Sequence, residues 1–436
     1  MSDNKQYAWR TQLIYFINDP VTHPHDCVRH HTDGLLIVQN GQIVAAGDYH
    51  QTQHLLHHDA LLQLLPNNII MPGLIDTHIH YPQTDIIASP AEGLLPWLET
   101  YTFPAESRFS DPELAAEVSK VFLDELLRNG TTTASVYGSV HVSSVDALFN
   151  ESHARNLRMI AGKVMMDRNC PEYLQDTAES GARDSEALIQ RWHGKGRQSY
   201  ALTPRFAPTS TPEQLGACGE LAKHYPDVYL QTHVAENKDE IAWVSELFPN
   251  NRSYLDVYDS YGLLRPRSIY GHSIWLDETD RLRMHDTGSV AAHCPTSNLF
   301  LASGLFDFQS MQDNQVMHTL ATDVGGGTSF SMLRTMNEAH KVARLKGYHL
   351  SALSMFYLAT LGAARALELD TQIGNLESGK EADFIILDPA CTPLMERRMQ
   401  GVNSLEELLF LFAILGDDRA IKATYSAGVC VHQRNA

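Results

Sequence analysis

No two cysteines in this chain stand in a C-x-x-C spacing; Cys27, Cys170, Cys218, Cys294, Cys391 and Cys430 are scattered singly. Isolated thiols in a chain of 436 residues fit a reducing cytosol better than a disulfide framework. Basic residues are in deficit, with 33 Lys and Arg against 52 Asp and Glu, for a formal net charge of −19. A surface this acidic repels phosphate backbones and anionic lipid, so neither nucleic acid nor membrane is an expected partner. It says little about a small neutral ligand. Long apolar runs are missing too. The longest, 405–415, is interrupted by Glu406 and Glu407 and is too short to span a bilayer. It reads as a helix that is buried or faces a second subunit. The opening Met1-Ser2-Asp3-Asn4-Lys5-Gln6 has no apolar signal core, and the expectation is a cytoplasmic protein. Short-period repeats and low-complexity linkers are also absent.

What is present is globular: 43% hydrophobic and 19% charged residues, over a length that suits one large domain and a smaller one. Between residues 8 and 65 short apolar runs alternate with turns, and 34–47 reads as a hairpin turning at Asn40-Gly41. Residues 383–388 and 423–431 read as strands of the same kind. The two ends are therefore expected to form one small β-sandwich domain, residues 1–66 with 375–436. The middle, 67–374, has another rhythm. Eight β-rich runs recur, at 69–80, 131–137, 159–166, 200–206, 229–236, 268–274, 289–295 and 318–324, with helical patterns between them. Helices 112–129 and 212–224 each open on proline behind a capping residue, Asp111 or Thr211. Eight parallel βα units close naturally into an α/β fold of the TIM-like (β/α)₈ type, whose chemistry sits at the C-terminal ends of the strands.

Histidine is abundant, with 22 copies, so single ones carry little weight. His23, His25, His30, His31, His57 and His58 lie in polar, irregular stretches and read as surface residues. Those at strand ends differ. His78 and His80, two apart after Pro72-Gly73-Leu74-Ile75-Asp76, point to the same side of a strand and can share one metal ion. His233 and Glu236 end the fifth run, His272 the sixth and Asp323 the eighth, each after a buried apolar stretch. Taken singly, each also reads as a hydrogen-bonded core histidine or a capping aspartate. Together, three imidazoles and a carboxylate, His78, His80, His233 and Asp323, suit Zn²⁺ or Fe²⁺ with a position left for water.

This arrangement resembles the amidohydrolase superfamily and, at several points, its guanine-deaminating members. The resemblance covers essentially the whole chain. It rests on Pro72 to His80, on Leu95-Pro96-Trp97-Leu98-Glu99-Thr100-Tyr101-Thr102-Phe103-Pro104-Ala105-Glu106, on His293-Cys294-Pro295-Thr296-Ser297-Asn298-Leu299-Phe300-Leu301 and, most specifically, on TDVGGGTSFSML at 322–333. The run from Ile373 to Phe384 is similar to the superfamily's return into its small β-domain. Two-metal relatives carry a bridging lysine, usually on strand 4. Leu202-Thr203-Pro204-Arg205-Phe206 has none, and Lys163 on the third run reads as structural, so one metal per chain is expected.

The implied reaction is hydrolytic deamination of guanine to xanthine and ammonia. Zn²⁺ acidifies water, Asp323 accepts its proton, His272 orients it, and Glu236 moves a proton to a ring nitrogen. Arg205 has the fork to meet O6 and N7 of guanine with two hydrogen bonds. Phe206 can pack on the ring, Gln83 can bond to the purine, and Trp97 and Leu98 can wall the pocket. Read without the resemblance, Arg205 has the alternative of a surface or ion-paired arginine. Adenine would set an amino donor against the donors of Arg205 and is expected to be rejected. A homodimer is implied by the resemblance and fits the apolar 405–415 helix. Other amidohydrolases, acting on cytosine, thioadenosine-type or chlorinated triazine substrates, would share the metal residues without needing Arg205, Phe206 and Gln83. A non-catalytic binding scaffold is the reading from another class, and the intact residue set argues against it. The H-x-E with P-C-x-x-C signature of the cytidine-deaminase type of zinc site is not present.

Overall fold

The computed structural model describes residues 5–90 and 92–434. Residues 1–4, which head the stretch read above for a signal core, lie outside the described residues. The N-terminal strands are β1 (Gln6–Phe16), β2 (Val28–Gln39), β3 (Gln42–Asp48) and β4 (Leu61–Pro72). The central strands are β5 (Leu74–His80), β6 (Thr131–Tyr137), β7 (Arg158–Gly162), β8 (Val164–Met165), β9 (Gln198–Pro204) and β10 (Tyr229–Val234). They continue with β11 (Ser268–His272), β12 (Val290–His293) and β13 (Met317–Leu320), and the chain ends with β14 (Phe384–Leu387), β15 (Ile421–Ser426) and β16 (Val429–Gln433).

Two sheets result. One, in the order β16-β15-β14-β4-β1-β2-β3, joins the two ends of the chain. It is antiparallel except where β1 runs parallel to β4. The β2–β3 hairpin turns at Asn40 and Gly41, whose φ values of 52° and 80° are the left-handed pair that a tight two-residue hairpin needs. The other sheet runs β13-β12-β11-β10-β9-β7-β6-β5 with all neighbours parallel, and β8 continues the line of β7 beside β9. Asp323 N–H donating to His78 O (2.9 Å) and His80 N–H donating to Val324 O (2.8 Å) draw the two outer strands together. The eight parallel strands thus form a nearly closed barrel, the fold class expected. A buried cluster including Ile75, Ile160, Ala201, Tyr229, Ile269 and Ala292 joins six of these strands to Ala363, Ala364 and Leu367. A larger apolar shell packs the strands against the surrounding helices.

Three runs read as single strands are divided in the structure, 159–166 among them, into β7 and β8. Residues 69–80 are not one strand: Ile69 to Pro72 pair with β14 in the small sheet, and the barrel strand starts at Leu74. Gly73 is the joint, because a Cβ there would stand 2.1 Å from Thr132 Oγ1. Residues 423–431 are likewise two strands, turned at Ala427 and Gly428 with φ of 43° and 72°. The helices keep the caps that their sequences announce. Asp111 accepts from Glu113 N–H ahead of Pro112–Arg128, and Thr211 from Gln214 N–H ahead of Pro212–His224. Leu405–Leu415 is a helix with Leu408, Leu409, Leu411, Phe412 and Ala413 buried. Among the described residues no helix is long and apolar enough to cross a membrane.

Candidate active site

Strand alternation and chain reversal bring five side chains to one point. His78 and His80 end β5, His233 lies near the end of β10, His272 ends β11, and Asp323 follows β13. Three of the loops leave their strands through non-glycine residues in the left-handed region: Ala235 at φ 48°, His272 at 67° and Asp323 at 53°. Such conformations cost on the order of 1 kcal/mol each and persist where the surroundings over-determine them. Here they turn the strand ends sharply enough to face one another.

The nitrogen Nε2 of His80 lies 3.3 Å from that of His78 and 3.2 Å from that of His233. Asp323 Oδ1 lies 3.3 Å from His78 Nε2 and 3.4 Å from His80 Nε2. Ligands at ~2.0–2.1 Å around a tetrahedral centre are about 3.3–3.4 Å apart, so these atoms are spaced as the ligands of one small cation. The donor chemistry agrees. Burial holds the His78 imidazole below its usual range, His233 well below it and His80 down to about 3, so all three rings are neutral with lone pairs to offer. Burial alone would raise Asp323, but the imidazoles of His78 and His80 beside it outweigh this and hold it well below the carboxylate range. His233 is oriented by donating from Nδ1 to Arg205 O (2.7 Å), which leaves Nε2 for a metal. His78, His233, His272 and Asp323 also each offer an atom within 4.8 Å of the others. This is a metal site of the three-histidine, one-aspartate type.

His272 is held differently. Its Nδ1 lies 2.8 Å from Asn298 Oδ1, an acceptor, so the ring proton is on Nδ1 and Nε2 faces inward. That Nε2 stands 3.3 Å from Glu236 Oε2 and 3.8 Å from Asp323 Oδ2. Glu236 is buried and receives a hydrogen bond from Ser303 Oγ (2.9 Å) at its other oxygen. Burial first, then the charge of Asp323, pushes Glu236 up to about 8, so its carboxyl carries a proton at neutral pH. Behind it Glu240 accepts from Glu236 N–H and from Tyr254, and burial pushes its carboxyl up to about 7.

A cavity opens over this cluster, lined by His80, Gln83, Arg205, Phe206, Glu236 and His272 among others. Leu94, Trp97, Leu98 and Leu301 supply its apolar cover. Trp97 and Leu98 come from one continuous helical run, 94–107, whose middle, Leu98–Thr102, is wound as a π-helix. Such turns are frequent at functional sites. Arg205 follows β9 and lies over the Phe103 ring, 5.6 Å from its centroid. Lys163 points elsewhere: its ammonium is bound by Asp176 and by Val164 O.

Every residue selected from the sequence thus lies at this one end of the barrel. The sequence reading missed Glu106, Glu240, Asn298 and Ser303. Glu106 and Asn298 fall in stretches quoted for the resemblance but were given no role, and Glu240, the fourth residue of a capping box opened by Asn237, carried only a signal of helix capping.

Comparison with known proteins agrees with this geometry. The amidohydrolase family model matches residues 69–431. The chain is 50% identical to the guanine deaminase of Escherichia coli K12, over 92% of each chain. Among solved structures, E. coli guanine deaminase superposes with a TM-score of 0.96 at 48% identity, over 98% of this chain and 100% of that one. A guanine deaminase from C. acetobutylicum with guanine bound in its active site superposes with a TM-score of 0.88 at 26% identity, over 98% and 100%. A parallel barrel with a terminal sheet, a three-histidine and aspartate centre at its strand ends, and a family match across most of its length lead to one assignment: the chain belongs to the amidohydrolase family.

Proposed function

We propose that the chain hydrolyses guanine to xanthine and ammonia. The observation that carries this is a single cavity lined both by a metal-type cluster and by Arg205 and Gln83, whose N–H groups form its donor edge in this reading. The names of the relatives at 50% identity and at TM-scores of 0.96 and 0.88 support it. The ligands in this reading are His78, His80, His233 and Asp323, with one Zn²⁺ per chain and Fe²⁺ as the alternative. The absence of lysine from Thr203-Pro204-Arg205 and the engagement of Lys163 by Asp176 favour one ion over a bridged pair.

A divalent cation bound there supplies a water acidified toward neutrality. The protein does the rest. Asp323 accepts the proton of the attacking water on a carboxylate oxygen, and His272, fixed by Asn298, orients that water through Nε2. Glu236 gives its proton to a ring nitrogen as the water oxygen bonds to the carbon bearing the amino group. The proton held on Asp323 passes to that amino group, which leaves as ammonia, and the proton of the added hydroxyl returns to Glu236 as the new carbonyl forms. Arg205 is a donor only, and its N–H groups match O6 and N7 of guanine; Gln83 bonds to the base and Phe206 packs on it. The apolar cover of Leu94, Trp97, Leu98 and Leu301 keeps bulk water out. In this reading the enzyme works in the cytoplasm as a homodimer, with the 38%-exposed Phe410 of the Leu405–Leu415 helix in the subunit contact.

Offering guanine, adenine, cytosine and guanosine separately to metal-loaded protein, with the ultraviolet spectrum and ammonia followed together, tests the substrate. Xanthine and ammonia from guanine alone are expected. Ammonia from adenine or cytosine with none from guanine would replace this reading with another amidohydrolase activity.

A further inference from the structure

Glu106 stands behind the cavity wall, buried to 0% exposure, 23 residues from Gln83 and 99 from Arg205. Among the described residues its two oxygens have one partner each. Gln83 Nε2 donates to Oε1 at 2.9 Å, and Arg205 Nη1 donates to Oε2 at 2.6 Å. At its other end the Gln83 amide accepts from Gly325 N–H (3.1 Å). A carboxylate only accepts and a backbone N–H only donates, so the amide has one orientation, with its second N–H left over. Arg205 likewise gives Nη1 to Glu106, and its Cζ lies over the Phe103 ring, 5.6 Å from the centroid. One carboxylate therefore fixes both side chains that line the donor edge, and it offsets the charge of Arg205 without entering the cavity.

We infer that Glu106 is the positioning residue for base selection: it aims Arg205 and Gln83 at the oxygen-bearing edge of an oxo-purine. This rests on the reading of the cavity as an oxo-purine site. Without Glu106, Arg205 is an unpaired buried cation and the Gln83 amide is free to turn, so the donors lose their fixed directions. Contacts to a ligand oxygen then weaken, whereas packing on Phe206 and Trp97 does not.

The test uses two bases that lack the amino group and so are not turned over. Hypoxanthine keeps O6 and N7; purine has no O6. Their inhibition constants against guanine turnover are measured in the wild type, in Glu106→Gln and in Glu106→Asp, together with KM and kcat. Glu106→Gln is expected to weaken hypoxanthine on the order of tenfold while purine changes by less than about twofold, with KM for guanine rising more than kcat falls. Glu106→Asp keeps the charge but cannot span both partners, and is expected to show the same selective loss to a smaller degree. It carries the test should the glutamine variant not fold. Equal weakening of both bases would show a merely structural role and overturn the inference, as would an unchanged preference for hypoxanthine. If the wild type itself does not favour hypoxanthine over purine, the oxo-purine reading of the cavity fails first.

Discussion

At Glu236 a single substitution separates proton transfer from binding. Glu236→Gln keeps the shape and the acceptor for Ser303 but has no proton to give, so kcat is expected to fall by about 10² to 10⁴, the usual worth of a general acid. Hypoxanthine affinity and bound metal should stay within about twofold, because no ligand has been removed; steady-state rates with metal analysis check both. Arg205→Lys makes the complementary cut. A compact ammonium cannot reproduce the fork, so kcat/KM for guanine should drop on the order of a hundredfold, mainly through KM. The difference between these residues and Glu106 explains what the sequence discloses at this scale. His78, His80, His233, Glu236, His272 and Asp323 stand out because polar groups end apolar strands, where burial demands a reason. Glu106 sits in a helix far along the chain from both of its partners, and only folding shows that its carboxylate faces them. Asn298 and Ser303 are hidden in the same way, as are the left-handed backbones of His272 and Asp323.

Among the elements, β11 shows how closely the strands serve the site. A Cβ on Gly271 would lie 2.4 Å from His78 Cε1, too close for any side chain. Gly271→Ala should therefore leave the barrel folded but displace the His78 ring, lowering metal affinity by about 10- to 100-fold, the range seen when a ligand loses its support. Metal titration followed by activity measures this; an unchanged affinity would show that His78 is not held as described. Periodicity and turn residues made most elements legible. Asn40-Gly41 fixes a hairpin because both positions favour positive φ, and Asp111-Pro112 and Thr211-Pro212 start helices because the cap and the proline agree. Two kinds of feature stayed hidden. The stretch 69–75 carries no charged residue, and its Pro72-Gly73 pair signals a break without saying that the chain changes sheet there; the contact of Gly73 with Thr132 shows it. The π-helical turn that carries Leu98 toward the cavity has no sequence signature of its own.

Across the whole molecule, the small sheet and the barrel are tied by a partly buried ionic joint. Glu381 receives Arg158 and Arg197, and Arg197 also binds Asp383, at the point where the chain enters β14. Burial alone would raise Glu381, but Arg197 and Arg158 outweigh it and hold the carboxyl below its ordinary 4.5. A depressed carboxylate stabilises the fold at pH above the unfolded value and loses that contribution as pH falls through the folded one. Glu381→Gln should thus cost about 3 kcal/mol at neutral pH, and the gap to the wild type should close as the pH drops below about 4.5. Urea midpoints across that range measure it; a gap independent of pH would contradict the assignment. The joining of the two chain ends in one sheet was legible from their shared strand character, whereas the joint itself depends on arginines that no local pattern distinguishes from surface ones.

The proposed reaction depends on one cation, held by residues from two strand ends and the loop that follows a third, beside an oxo-purine. Its most direct test is titration of metal-free protein with Zn²⁺ while xanthine formation from guanine is followed. Activity should rise in proportion to added metal and level off at about one equivalent per chain, with Asp323→Asn inactive throughout. Full turnover by the metal-free protein, or a plateau only at two equivalents, would contradict it.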